Sequence, residues 1–409
     1  MKHCKLAVIT ALTVFVLLLT ACGRNDRVTV EIEFFLDNVQ LLAAHERIAE
    51  IFHEENPHVR INFVAPPDAE AAMLARIAAG DPPDIMNIYP AEVLYRQFMA
   101  DGLFVNLTGH PMMNAIPADV LAISELNGNQ YSIPIALSGY GIFYNRDIFA
   151  RHGLTPPTTY DELIQLARAL QEAGELPFTF HDRAAGRVGQ MVERMIGILD
   201  NNVHETFTQI AVGEKSIWDM SEMRMLAEIM LEVREFGQLD QLGTDVGQSL
   251  ADFMNGDAAM MIGGTWFGAT ILEESPDMNF SMFPFPNPMG EPSVIPINIE
   301  TAWAISVDAS CVDTAKDFLY FMVRPDIIQL FANASASPIV VEGVNFPHEQ
   351  LETMNDEINS GNIFRTPVIF WPPGMRAHWQ VEAQQLFLDR DIDGFITRTE
   401  AMIMQFYND

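Results

Sequence analysis

The chain has 409 residues and a formal net charge of −32, enough length to bury an apolar core and to divide into two lobes. So acidic a surface repels phosphate backbones and anionic lipid, which excludes nucleic-acid binding and argues against a helix lying flat on a membrane. Its only lysines are Lys2, Lys5, Lys215 and Lys316.

Lys2 and Lys5 precede an almost unbroken apolar run from Leu6 to Leu19, shorter than the about 20 residues that a spanning helix needs. A basic start, a short apolar core and small residues at its end make a secretory signal. The segment closes on Leu19-Thr20-Ala21-Cys22-Gly23, which resembles the lipobox of bacterial lipoproteins, with an ordinary signal peptide and a chance cysteine as the competing reading. The resemblance implies removal of residues 1–21, lipid attachment at Cys22 and a short tether over 22–27. One acyl group binds membranes weakly, so a two-chain diacylglyceryl modification is implied. Cys4 would leave with the signal, and Cys311 would be the only free thiol. No intramolecular disulfide is then expected, and stability must come from the core. The apolar stretch Leu250 to Ile271 is interrupted by Asp252, Asn255, Gly256, Asp257, Gly263 and Gly264, so no second membrane span is expected.

Val28, Val30, Ile32 and Phe34 alternate as in a strand. Leu41 to Asn56 places Ala44, Ile48, Ile51 and Phe52 on one helical face and stops at Asn56-Pro57. Val59, Ile61 and Phe63 alternate again, a helix is predicted from Ala69 to Ala79, and an apolar strand around Ile85 to Ile88. Strand, helix, strand, helix, strand is the rhythm of a mostly parallel α/β sheet, whose ligands sit beyond the carboxyl ends of the strands. Those ends carry Asp37, Asn38 and Tyr89. Farther on, Tyr131 to Asn145 reads as a strand, and Thr159 with Glu162 as a capping box before Leu163, Leu166, Ala167 and Leu170. Phe283 to Pro288 holds three prolines and reads as an extended crossover rather than a helix or central strand. Thr301 to Ile305 looks like a strand with Trp303 in the core, and Ser310 with Asp313 opens a further helix.

A series of motifs runs through this pattern: Glu54-Glu55-Asn56-Pro57; Ala79-Gly80-Asp81-Pro82-Pro83-Asp84; Gly128-Asn129-Gln130-Tyr131-Ser132-Ile133-Pro134; Phe143-Tyr144-Asn145-Arg146-Asp147; Phe253-Met254-Asn255-Gly256-Asp257; and Gly264-Thr265-Trp266. Their order and spacing resemble the extracellular solute-binding proteins of family one, the group that includes maltose-binding protein. What the resemblance implies is an α/β, two-lobe periplasmic-binding-protein-like fold of type II. Each lobe would be a mixed, mostly parallel sheet flanked by helices, with three crossovers near Ser138–Gly139, Pro284–Pro288 and Ser337–Pro338. Lobe I would comprise residues 28–137 plus 289–337, and lobe II 138–288 plus 338–409. The implied activity is capture of a small ligand, expected to be a sugar or oligosaccharide, by hinge closure, and its delivery to the permease of an ABC transporter. The expected protein is a lipid-anchored monomer on the extracytoplasmic face of the cell membrane, with no cofactor and no assigned metal.

A sugar site needs a flat aromatic for the C–H face and planar polar groups for the hydroxyls. Trp266 is the first candidate, since it follows Gly263-Gly264-Thr265, where a strand turns into a helix with free amide groups; the alternative is a core tryptophan. Ser138, Tyr89, Asp37 and Asn38 are further ligand candidates, weighed against capping or turn roles. In the family the loop holding Trp371 and Arg376 reaches back to the cleft, so either residue is expected at its rim.

Two segments depart from the simple reading. His181 to Arg187 carries Arg183 and Arg187 where sugar-binding relatives often carry aromatics; two arginines can clamp an anion bidentately, or form surface ion pairs at a helix start. That keeps a uronate, a sugar phosphate or another non-sugar solute such as a polyamine as the alternative. Asp389 to Glu400 fits an EF-hand loop pattern, while Thr397 to Glu400 also reads as a capping box opening the last helix. No catalytic motif stands out: His53 to His58 has the wrong spacing for a zinc helix and contains Pro57. A non-enzyme is expected, with a secreted carbohydrate-active hydrolase as the reading from a different class.

Overall fold

The computed structural model describes residues 29–66 and 68–408; the signal-like segment and Cys22 lie outside the described residues. Strands β1 (Val30–Phe35), β2 (Val59–Val64) and β3 (Ile85–Ile88) pair in parallel in the order β2-β1-β3, with helices Leu42–Glu55 and Ala69–Ala78 between them. The apolar alternation drives this arrangement: Ile32 and Phe34 are fully buried, while Glu31 before them is exposed and Glu33 between them is half-buried.

Two long strands carry the rest of the architecture. β4 (Ile133–Asn145) pairs antiparallel with the later strand Ile295–Ile305 from Ile133 to Gly139. From Tyr140 onward it pairs instead with strands of a second sheet. That second sheet adds β5 (Leu176–Thr179), β6 (Ala258–Gly264) and β7 (Phe280–Pro284); β8 is Ile295–Ile305, and β9 (Ile363–Arg365) pairs parallel with it. The strand order is β2-β1-β3-β8-β4-β6-β5, with β7 on β4. Gly141 permits the close β4–β7 approach, because a Cβ there would lie 2.5 Å from the Phe283 carbonyl oxygen. The whole is α/β, a mixed sheet flanked by helices.

One core lies around β1, β3 and β8, where Phe34, His45, Trp303 and Phe331 meet edge to face with centroids 5.4 to 5.9 Å apart. Another packs helices Ala185–Leu199, Val203–Ala211, Ser221–Arg234, Met375–Asp389 and Ile392–Asn408 around Phe207, Trp379 and Phe395. Helices Ala185–Leu199 and Met375–Asp389 touch closely at Gly189, where a Cβ would sit 2.8 Å from the Gln380 Cα.

Several local expectations need correction. Ser310 caps nothing: its hydroxyl donates to the Glu31 carbonyl at 2.9 Å, and the helix Val312–Met322 starts after Cys311 without a side-chain cap. Phe283 and Pro284 do not belong to the crossover but end β7, on the outer side of β4, where a missing N–H is tolerated. The last helix runs unbroken from Ile392 to Asn408, so Thr397 to Glu400 opens no helix. The same helix removes the calcium-loop reading: Asp393 is paired with Arg224, Glu400 accepts from the Ile217 N–H at 3.4 Å, and no metal-holding group of His, Cys, Asp and Glu occurs among the described residues. The capping box at Thr159 and Glu162 is present with both of its bonds. No helix among the described residues is long and apolar enough to cross a membrane.

Candidate ligand-binding cleft

A cleft of about 460 Å³ opens where the two sheets share β4. Its first wall is made of strand ends. Asp37 and Asn38 follow β1, and Tyr89 follows β3. Asp37 accepts hydrogen bonds from the Tyr89 hydroxyl and, at 2.7 Å, from Asn87 Nδ2. Asn87 is itself fixed, since its Oδ1 accepts from the Ala302 N–H at 3.0 Å. Burial pushes the Asp37 carboxyl above its ordinary range, against these donors. Burial, and then the Asp37 charge, pushes the Tyr89 phenol up as well. Asn38 spends its side chain on the next turn, accepting from the Gln40 N–H at 3.0 Å.

Glu300 stands on the same wall. Asn298 and Glu300 are two apart in β8 and both line the cleft half-buried, while Ile297 and Ile299 at the alternate positions are buried. Ser138 in β4 is nearly buried, and its hydroxyl donates to the Asn298 carbonyl at 3.4 Å.

The opposite wall is made of helices and one turn. β6 ends at Gly264, and Trp266 occupies the cap position of helix Phe267–Glu274. Gly264 makes room for the indole, whose ring would lie 2.0 Å from a Cβ at that position. Thr265 ties the turn to β4: its N–H donates to the Gly139 carbonyl at 2.9 Å, and its Oγ1 accepts from the Gly139 N–H at 3.2 Å. Trp266 is half-buried and lies 6.1 Å from the Tyr140 ring. The Arg194 guanidinium sits over both, 4.9 Å from the Tyr140 centroid and 5.7 Å from that of Trp266. Arg187, Gln190 and Arg194 line this wall from one face of helix Ala185–Leu199, at spacings of three and four.

Arg376 crosses between the walls. From the first turn of helix Met375–Asp389 its Nη1 reaches Glu92 at 2.9 Å, while its Nη2 reaches the fully buried Glu193 at 3.1 Å. Glu92 directly precedes helix Val93–Ala100, on the first wall. The Glu193 carboxylate, and after it Glu92, holds the Arg376 proton even more firmly than usual, against the effect of burial.

The structure therefore brings Asp37, Asn38, Tyr89, Ser138, Trp266 and Arg376 together around one cleft. Trp371 is elsewhere: only 2 % exposed, it packs 5.0 Å from the Trp379 ring in the second core and lines no rim. The expected arginine pair also separates. Arg183 forms a surface ion pair with Asp245 at 2.9 Å, whereas Arg187 lines the cleft and donates to Gln190 at 3.2 Å. Just before them, Asp182 is buried against Arg234, at 2.6 and 2.9 Å. His181 is held neutral, its pKa pushed down to about 4 by burial. Sequence reasoning missed Glu300, Asn298, Gln190, Arg194, Glu92 and Asn87. The period-two pair Asn298 and Glu300 in an otherwise apolar strand, and the polar stripe Arg187, Gln190, Arg194, were the available signals.

Comparison with known proteins agrees with this architecture. Residues 39–328 match the family model described as bacterial extracellular solute-binding protein. The multiple sugar-binding protein of Streptococcus mutans is 26% identical over 347 residues, covering 80% of each chain. The melibiose/raffinose/stachyose-binding protein MelE of Bacillus subtilis is 24% identical over 307 residues, covering 71% of this chain and 69% of its own. The structure of the solute-binding protein RafE in complex with raffinose superposes with a TM-score of 0.82 at 24% identity, covering 93% of this chain and 100% of that one. The shared fold is the type II solute-binding fold.

Proposed function

The chain belongs to the bacterial extracellular solute-binding proteins, and on that premise we propose that it is the substrate-binding lipoprotein of an ABC transporter. Anchored through Cys22 on the extracytoplasmic face of the membrane, it captures a sugar or oligosaccharide in the cleft and hands it to a membrane permease. The lobes are residues 28–137 plus 289–337 and residues 138–288 plus 338–409, and ligand contacts to both favour the closed form. No bond in the ligand is made or broken.

One observation carries the sugar reading: an aromatic face, Trp266 backed by the buried Tyr140, opposes a wall of acceptors and donors, Asp37, Tyr89 and Glu300. Apolar sugar faces stack on the first, and hydroxyls bond to the second. The relatives are named for sugars, which supports the same class. Arg376, bonded to Glu92 across the opening, supports hinge closure as the capturing motion. A uronate is the second reading, favoured by Arg187, which lines the cleft with no carboxylate partner among the described residues.

A thermal-shift screen of neutral sugars, uronates, sugar phosphates and polyamines tests these readings, because a cleft ligand raises the melting temperature by mass action. Neutral oligosaccharides such as raffinose are expected to give the largest rise, and chromatography should recover them unchanged. A rise confined to uronates transfers the conclusion to the second reading. No response to any sugar sinks the first.

A further inference from the structure

The two carboxyls of the first wall are treated differently by the fold. Asp37 has two side-chain donors of its own, Tyr89 and Asn87. Glu300, beside it on β8, has an Oε2 that is closed off from solvent and has no hydrogen-bond partner. A buried carboxyl oxygen without a donor is costly for the charged form. Here the unmet oxygen belongs to a residue that lines the cleft.

We propose that Glu300 is the group through which the cleft selects ligands able to donate a hydrogen bond, and that seating such a donor drives whatever proton its carboxyl holds in the free protein to solvent. The proposal rests on the reading of the cleft as a solute site. A ligand hydroxyl that donates to the Glu300 carboxylate does for it what Asn87 and Tyr89 do for Asp37, and a hydrogen bond donated to the carboxylate favours the ionised form. Before binding, burial pushes the Glu300 pKa up to about 7, with the Ser337 hydroxyl acting in the opposite direction and the Asp37 charge adding to the rise. The free protein thus holds Glu300 partly protonated near neutrality. The other groups around the cleft do not offset this. Asp37, Glu70 and Tyr89 share its wall, while of the arginines opposite, Arg194 is paired to Glu193 and Arg376 to Glu193 and Glu92, leaving Arg187. The sign follows: bound Glu300 holds fewer protons than free Glu300, so affinity rises with pH through neutrality and levels off above it.

The test is titration calorimetry of the purified protein with raffinose at pH 7, in phosphate and in Tris, whose ionisation heats differ. The difference gives the protons released per ligand bound. About half a proton is expected from a group half-protonated at that pH, with a rise in affinity of about tenfold between pH 6 and pH 8. Glu300→Gln should abolish the proton release and weaken binding by about tenfold. Zero release by the wild type overturns the proposal, as does undiminished release by Glu300→Gln or proton uptake in place of release. If no sugar binds but another solute from the screen does, the sugar reading falls alone, and the proton count with that solute decides the role of Glu300. If no solute binds, both fall.

Discussion

Asp37, Tyr89 and Glu300 stand at strand ends or within a strand, whereas Trp266, Arg187 and Arg194 stand on helices or the turn into one, and the two walls of the cleft differ accordingly. Positions on the first wall are set by the sheet ladder, and Asp37 is further fixed through Asn87 to the backbone of β8. The second wall reaches the cleft through long side chains, held by packing and by ion pairs such as Glu193 with Arg194 and Asp182 with Arg234. The comparison teaches that one wall presents acceptors in nearly fixed places while the other supplies an aromatic surface and cations that adapt, a division suited to binding related oligosaccharides.

The strongest way to break this contrast is to remove a buried support of the second wall. Asp182→Ala leaves the Arg234 guanidinium buried without its carboxylate and is expected to lower stability by about 3–5 kcal/mol in urea unfolding. A loss under about 1 kcal/mol would mean that the pair behaves like one on the surface. On the other side, His45 sits fully buried among Phe34, Trp303 and Phe331, its pKa pushed down to about 4 by burial. The unfolded chain takes up that proton near pH 6.5 and the folded one only near 4. His45 therefore costs stability as pH falls through that window, about 3 kcal/mol across its width. His45→Gln should flatten the acid limb of a stability-versus-pH curve, and an unchanged slope would remove His45 from the account. Trp266→Ala should weaken sugar binding by about 1–3 kcal/mol in calorimetry; unaltered affinity would make Trp266 part of the scaffold. Smallest of all, Arg183→Ala removes only an exposed pair with Asp245. It should change stability by less than about 1 kcal/mol and leave affinity alone, and a clear loss of affinity would return Arg183 to the cleft.

The same contrast explains what the sequence made legible. Strand alternation and Asn56-Pro57 or Gly80 stops located β1 to β3 and their helices, and beyond the strand ends lay Asp37, Asn38 and Tyr89, because a parallel sheet places its ligand there. Helix-borne residues were harder. Arg187, Gln190 and Arg194 look like any solvated helical face until helix Met375–Asp389 packs on the other side of that helix at Gly189. Trp371 failed for the converse reason: a Trp-Pro-Pro-Gly loop suggests an exposed rim, but Phe207 and Trp379 enclose the indole. The pattern of Asp389 to Glu400 carried correct ligand spacing in a segment that helix Ile392–Asn408 occupies, since spacing alone does not say whether the backbone forms a loop. Glu300 was visible as a lone charge in an apolar strand, yet its unmet Oε2 required three-dimensional context.

Strand β4 has a consequence for how the molecule comes apart. Its thirteen residues contribute ladder bonds to β8 in one sheet and to β6 and β7 in the other. Neither half can melt without stripping partners from a strand that the other half needs. Heating should therefore give a single calorimetric transition, with van't Hoff and calorimetric enthalpies in agreement, although the molecule has two cores. Amides along β4 should be among the last to exchange with deuterium on both sides of Gly139, making this strand the common limit on the lifetime of the folded state.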